Sequence, residues 1–202
     1  MTNKVDTLRS GGCYNQGMGE DKKKDLVLQM QVEIKPLEEG DIEQLDPILR
    51  QHVRDRYTQA ILGEEIADIE DYMRGGKDEY GRSRKYLVAK SAEGRVWGCM
   101  GLTVMDPDLV KHLPDKDPKE TMELVNAFVD SEVYRGGGVG KKLFDAICEM
   151  ARAERKKYLT LSSGPRYKAS WGFYDRFCDE NTGMIIGKFG PGGDANTWLK
   201  RL

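Results

Sequence analysis

The chain has 202 residues, 39% of them hydrophobic and 33% charged, with a formal net charge of −2. That length and balance fit one soluble domain with a proper core, and the lack of a basic excess argues against a nucleic-acid binder. No apolar run approaches the roughly 20 residues of a membrane span, and no apolar secretory centre opens the chain, so a cytoplasmic location without membrane contact is expected.

Residues 1–29 carry Ser10-Gly11-Gly12, Gly17-Met18-Gly19 and a charged run from Glu20 to Asp25. So little apolar surface cannot offset ordering entropy, and a mobile tail is expected ahead of a folded domain at 30–202. Val32, Glu33 and Ile34 alternate as in a strand. Gly40-Asp41 offers an N-cap, and Ile42, Leu45, Ile48, Leu49 and Val53 follow at helical spacing. A second helix is expected over 64–73, stopped by Gly75-Gly76. Residues 86–89 and 96–104 read as strands joined by a turn at Glu93-Gly94. Residues 106–119 read as a charged, proline-bearing loop.

A fourth strand is expected at 122–129, apolar on both faces and therefore central. The helix after the glycine run places Val139, Leu143, Phe144, Ile147 and Met150 on one inner face. Residues 158–161 form a fifth strand and 168–177 a short helix, and 184–186 and 197–199 two last strands. The order β-α-α-β-β-β-α-β-α-β-β predicts an α/β fold with a mixed, mostly antiparallel sheet flanked by helices.

The chain has four cysteines, at 13, 99, 148 and 178, and its histidines are His52 and His112. No two cysteines have metal-clip spacing, so neither a zinc site nor any other metal site is expected. Without a nearby histidine, covalent catalysis by Cys99 or Cys148 is disfavoured, and buried reduced thiols are expected. His52 and His112 are expected to be solvated.

Arg135-Gly136-Gly137-Gly138-Val139-Gly140-Lys141-Lys142 lies between a buried strand and an amphipathic helix. Consecutive glycines let a ligand approach the backbone, and the first helical turn presents N–H groups and the positive end of the dipole. Together these suit phosphate oxygens, with Lys141 and Lys142 adding charge. A P-loop is excluded: five residues before Gly140 stands Arg135, and Lys142 replaces the hydroxyl. A dinucleotide fingerprint is excluded too, because the third glycine would fall on Lys141 or Leu143. Arg135, Gly138 and Gly140 instead match Arg/Gln-x-x-Gly-x-Gly/Ala.

On these residues the chain resembles the GNAT acyltransferases, whose pyrophosphate loop has this form. Ser170-Trp171-Gly172-Phe173-Tyr174-Asp175-Arg176-Phe177 is similar to the family's aromatic helix. The resemblance implies acetyl-CoA as cofactor, held by Val129 and by Arg135, Gly136, Gly137, Gly138, Val139, Gly140 and Lys141. It implies that Tyr174 protonates the departing thiolate; as a residue, Tyr174 reads also as a core aromatic on an amphipathic helix, and Trp171 and Phe177 read as that alone. Tyr167 stands where members often carry a cofactor-contacting Asn. Some protein-acetylating members place a glutamate where Glu123 stands. As a residue, Glu123 reads equally as a general base or as an exposed strand-end carboxylate, and Asn126 falls on the opposite strand face by period two.

The expected activity is direct transfer of an acetyl group from acetyl-CoA to an amine, carried by a small molecule or a protein. Two alternatives stand beside it: a non-catalytic CoA-binding or regulatory module, and an interaction domain whose glycines only turn the backbone. The resemblance also allows a homodimer.

Overall fold

The computed structural model describes residues 31–132 and 138–202. The tail expected at 1–29 lies outside them, as do Cys13, Arg135, Gly136 and Gly137. Seven strands form one sheet in the order β1-β2-β3-β4-β5-β7-β6. They are β1 (Glu33–Pro36), β2 (Lys85–Lys90), β3 (Val96–Val104), β4 (Thr121–Val129), β5 (Tyr158–Ser163), β6 (Glu180–Ile185) and β7 (Ala195–Arg201). Every neighbouring pair is antiparallel except β4 and β5. The sheet is mixed, mostly antiparallel and flanked by helices, with β4 at its centre, as expected.

The helices are α1 (Glu39–His52), α2 (Gly63–Met73), α3 (Pro107–His112), α4 (Val139–Ala153) and α5 (Trp171–Phe177), with a 3-10 turn at Pro165–Ser170 leading into α5. Helix α1 begins before the cap expected at Gly40-Asp41. Glu38 is the N-cap, and its N–H donates to the Asp41 carboxylate at 2.8 Å, which fixes the first turn. Helix α3 corrects the loop reading of 106–119. Asp106 accepts from the Asp108 N–H and Pro107 occupies the first turn, a strong start signal that the shortness of the helix disguises.

Two faces carry the core. On one, Val139, Leu143, Phe144 and Ile147 of α4 pack with Leu159, Leu161, Met122, Leu124 and Trp198, joined by Tyr174 of α5. Fully burying each such large side chain is worth roughly 1.5–3 kcal/mol. On the other face, α1 and α2 place Ile42, Leu45, Leu49, Ile66 and Ile69 against Tyr86, Val88, Cys99 and Phe128. A smaller cluster on that face joins Leu109 of α3 to Met105, Leu113 and Leu199.

Candidate active site

The site begins with a failure of strand pairing. β4 and β5 are paired only from Thr121↔Tyr158 to Glu123↔Thr160. Beyond that row, residues 124–129 of β4 and 161–163 of β5 run on without each other, β5 staying with β7. Two parallel strands that part inside a sheet leave a wedge with unpaired backbone groups on its walls, and these need partners from elsewhere.

A bulge shapes one wall. Cys99 pairs with Phe128 and Gly101 with Val125, so one residue of β3 faces two of β4. Asn126 takes φ 49° there, a left-handed conformation that asparagine tolerates better than most residues. The extra residue turns Asn126 toward Tyr86, whose hydroxyl donates to its side-chain oxygen at 2.8 Å, and toward Arg84, which donates to the same oxygen. Strict alternation therefore fails: Asn126 lies on the α1/α2 face with Phe128, and Glu123 lies there as well, because its neighbours Met122 and Leu124 both point into the other core.

At the open end of the wedge the start of α4 meets β4. Gly138 is the N-cap of α4 at φ 78°, ψ 4°. Among the described residues, a Cβ there would meet nothing within 4 Å, and the first-turn N–H groups of Val139, Gly140 and Lys141 follow it. A Cβ on Gly140 would lie 3.6 Å from Phe173 and 3.8 Å from Val129; alanine would fit and anything larger would push α4 off the strand. Lys141 points along α4 and pairs with Asp145 at 2.7 Å. Gly138, Gly140, Val129 and α5 are thus brought together, while Arg135, Gly136 and Gly137 lie outside the described residues.

Glu123 is not an exposed strand-end carboxylate. It is 4% exposed and sits in the last paired row, at the apex of the wedge. Its carboxylate accepts from Arg82 at 3.0 Å and from the Asp106 N–H at 2.9 Å. Arg82 also binds Asp78 at 2.7 Å, and Lys188, its side chain only 7% exposed, binds Asp106 at 3.0 Å. Burial pushes the Glu123 carboxyl up to about 7, against the pull of the Arg82 guanidinium. Burial opposes ionisation of Asp106 too, but the Lys188 hydrogen bond and the Asp108 N–H hold its carboxyl below its ordinary value.

Tyr174 is 6% exposed and lies on the other face, against Trp198 with ring centroids 5.2 Å apart. Trp198 pairs with Leu161, one residue beyond the apex row. Burial pushes the Tyr174 phenol well above its ordinary value, so it holds its proton near neutral pH. Glu123 and Tyr174 therefore lie on opposite faces of the sheet.

Arg82 and Lys188 escaped the sequence reading and Asp106 reads there only as part of a charged loop, because charged residues from a turn, a helix cap and a late loop carry no shared spacing. The histidines also differ from expectation. His52 is half-buried and donates through Nε2 to the Val129 carbonyl at 2.7 Å, and His112 meets the Thr182 carbonyl at 2.9 Å and the Thr197 hydroxyl at 3.1 Å. Tyr167 packs edge-on against Phe128 at 6.2 Å. Burial raises the thiols of Cys99 and Cys178 to about 12 and that of Cys148 to about 11, which leaves them protonated and poor nucleophiles near neutral pH. Among the described residues, no helix is long and apolar enough to cross a membrane.

A family model described as the acetyltransferase (GNAT) family matches residues 47–179. No curated protein matches the chain by sequence. Among solved structures, Ard1 from Thermoplasma volcanium is similar with a TM-score of 0.61 at 20% identity, covering 85% of this chain and 98% of its own. An N-acetyltransferase from Staphylococcus aureus Mu50 gives 0.56 at 18% identity, covering 84% and 98%. The structure of yncA from Salmonella typhimurium with its cofactor acetyl-CoA gives 0.54 at 18% identity, covering 85% and 94%. At such identities the likeness is one of fold.

Proposed function

The chain belongs to the GNAT acetyltransferase family, and on that premise we propose that it moves an acetyl group from acetyl-CoA to an amine by direct transfer. The observation that carries this reading is the opening between β4 and β5, with the first turn of α4 at its wide end and Glu123 at its apex. The residues suit the cofactor. Gly138, the N-cap, has no side chain to stand beside the backbone donors, and N–H groups at a helix start favour phosphate oxygens. Val139, Gly140 and Lys141 would hold the pyrophosphate with their N–H groups, and the β4 edge toward Val129 would hold the arm that follows. Arg135, Gly136 and Gly137 belong to the same expectation.

Acetyl-CoA, when bound, supplies an activated acetyl thioester. The chain's own residues then have two proton tasks. An amine with a pKa near 10.4 costs about 4–5 kcal/mol to present as the free base at pH 7. The Glu123 carboxylate takes that proton, directly or through an ordered water, from an acceptor on the α1/α2 face; a carboxyl near 7 is well matched to the task. On the opposite face the Tyr174 hydroxyl gives a proton to the leaving sulfur. The two groups need not touch, because one takes a proton from the attacking nitrogen and the other gives a proton to the departing sulfur, two different substituents of the tetrahedral carbon. The buried ion network around Arg82 holds Glu123 in place.

The test is thiol release from acetyl-CoA across a panel of primary amines, with acetyl-CoA binding measured by calorimetry. Binding with amine-dependent thiol release is expected. Binding without release for any amine would favour a regulatory CoA-binding module, and no binding at all would leave only a domain of this fold.

A further inference from the structure

A cleft of about 200 Å³ opens between the α1–α2 connection, the turn after β5 and the β6–β7 connection. Tyr57 and Phe189 line it and remain 80% and 56% exposed. Large aromatic side chains left in water beside a cleft are apolar surface available to a ligand. Three charged side chains also line it. Arg166 is matched by Glu65, to whose two carboxylate oxygens it donates at 3.0 and 2.9 Å. Arg56 donates to the Gly192 carbonyl at 3.2 Å and lies 5.4 Å from the Tyr57 ring centroid, with no carboxylate partner among the described residues. Two arginines against one glutamate leave the lining one positive charge in excess.

The cleft is tied to the wedge at two points. Phe189 follows Lys188, whose ammonium binds Asp106 of the Glu123 network. Tyr167 lines the cleft and packs its ring against Phe128, the residue before Val129. The cleft is thus joined through Tyr167 to the end of β4 and through Lys188 to the network that holds Glu123.

We infer that this cleft takes the acceptor, and that the acceptor is an amine bearing a carboxylate beside an apolar side chain, the chemistry of a free α-amino acid. This rests on the acetyl-transfer reading above and narrows it. The guanidinium of Arg56 offers up to five N–H donors in a fork suited to a carboxylate. Its anchor on Gly192 uses one of them and sets its direction. Tyr57 and Phe189 face the side chain, and the cleft is smaller than the roughly 300–1,000 Å³ of sites for drug-sized ligands. The N-terminus of a polypeptide presents an amide where a free amino acid presents its carboxylate, so Arg56 distinguishes the two.

The test uses the full chain and matched pairs, phenylalanine against phenylalaninamide and leucine against leucinamide. Binding is measured by calorimetry with and without CoA, and thiol release is followed in parallel. The acid of each pair should bind about tenfold more tightly than its amide, as a charge-assisted hydrogen bond predicts. Arg56→Gln should remove that preference without lowering the melting temperature, and Arg56→Lys should restore part of it. Equal binding of acid and amide, tighter binding of the amide, a preference that survives Arg56→Gln, or no binding by either pair each overturns the assignment. An acid preference that depends on Arg56 but brings no thiol release would sink the acetyl-transfer reading and leave the site standing.

Discussion

Replacing Glu123 by Gln separates a base from a structural carboxylate, because the two roles predict opposite consequences. The side chain keeps its size and can still accept from Arg82 and from the Asp106 N–H, so the pocket should hold its shape. As a base, Glu123 contributes about 100- to 10,000-fold to the rate, and kcat/KM of the native protein should rise with pH through an apparent pKa near 7, the value burial gives this carboxyl. Both the rate and that rising limb should go in the variant, with acetyl-CoA affinity unchanged. Stability should move the other way. The folded carboxyl lies near 7, above its unfolded value of 4.5. Its contribution is therefore full below pH 4.5 and is lost as pH rises through 7, since the folded state holds a proton that the unfolded chain has released. A displacement from 4.5 to about 7 corresponds to about 3 kcal/mol at most, and the Gln variant does not undergo it. Denaturant melts of both proteins at pH 4.5 and 8 should show the native protein losing ground to the variant on going to high pH. Unchanged turnover in the variant would show that Glu123 only completes the ion network, and a pH-independent stability difference would show that its carboxyl is not raised.

Tyr174→Phe should keep the packing against Trp198 and Phe173 and lower turnover about 100- to 10,000-fold, with acetyl-CoA affinity within a few-fold by calorimetry; full turnover with the best acceptor would make Tyr174 a core aromatic only. Gly138→Glu should abolish acetyl-CoA binding by placing a negative charge in the phosphate site, while Gly138→Ala should keep most of it. Both variants carry the same left-handed backbone cost of about 1–2 kcal/mol, so equal affinities in the two would remove the charge argument. Gly98→Ala should lower the melting temperature, because its Cβ would fall against the Phe128 carbonyl oxygen and 2.9 Å from the Val129 Cα. Overpacking of this kind costs about 1–3 kcal/mol, and an unchanged melt would mean that β3 and β4 separate easily there.

The elements that could be read along the chain are those with strong local periodicity. Val139, Leu143, Phe144 and Ile147 recur at helical spacing and are buried, because only such an arrangement puts them all on one face of α4. The apolar run of β4 implied a strand covered on both sides, and it lies at the middle of the sheet. The glycine pattern and the aromatic helix were sufficient to indicate the family, since a left-handed φ at Gly138 and the closeness of Phe173 and Val129 at Gly140 restrict which residues can stand there. Helix α3 stayed hidden because six residues are too few for periodicity to show against a charged background.

Other features were decided by tertiary structure alone. Counting by two put Asn126 opposite Glu123, but one extra residue in β4 against β3 reverses its face, and nothing in local sequence registers a partner strand. The charge on Glu123 reads as surface polarity until Arg82, Asp106 and Lys188, from segments far apart in the chain, close over it and burial raises its proton affinity. His52 looked solvated until α1 brought it to the Val129 carbonyl. The sequence by itself determined which segments could form and which of them could approach a phosphate. Which charges are buried, which faces are shared and where two strands part depend on contacts between distant segments, and so had to come from the folded chain.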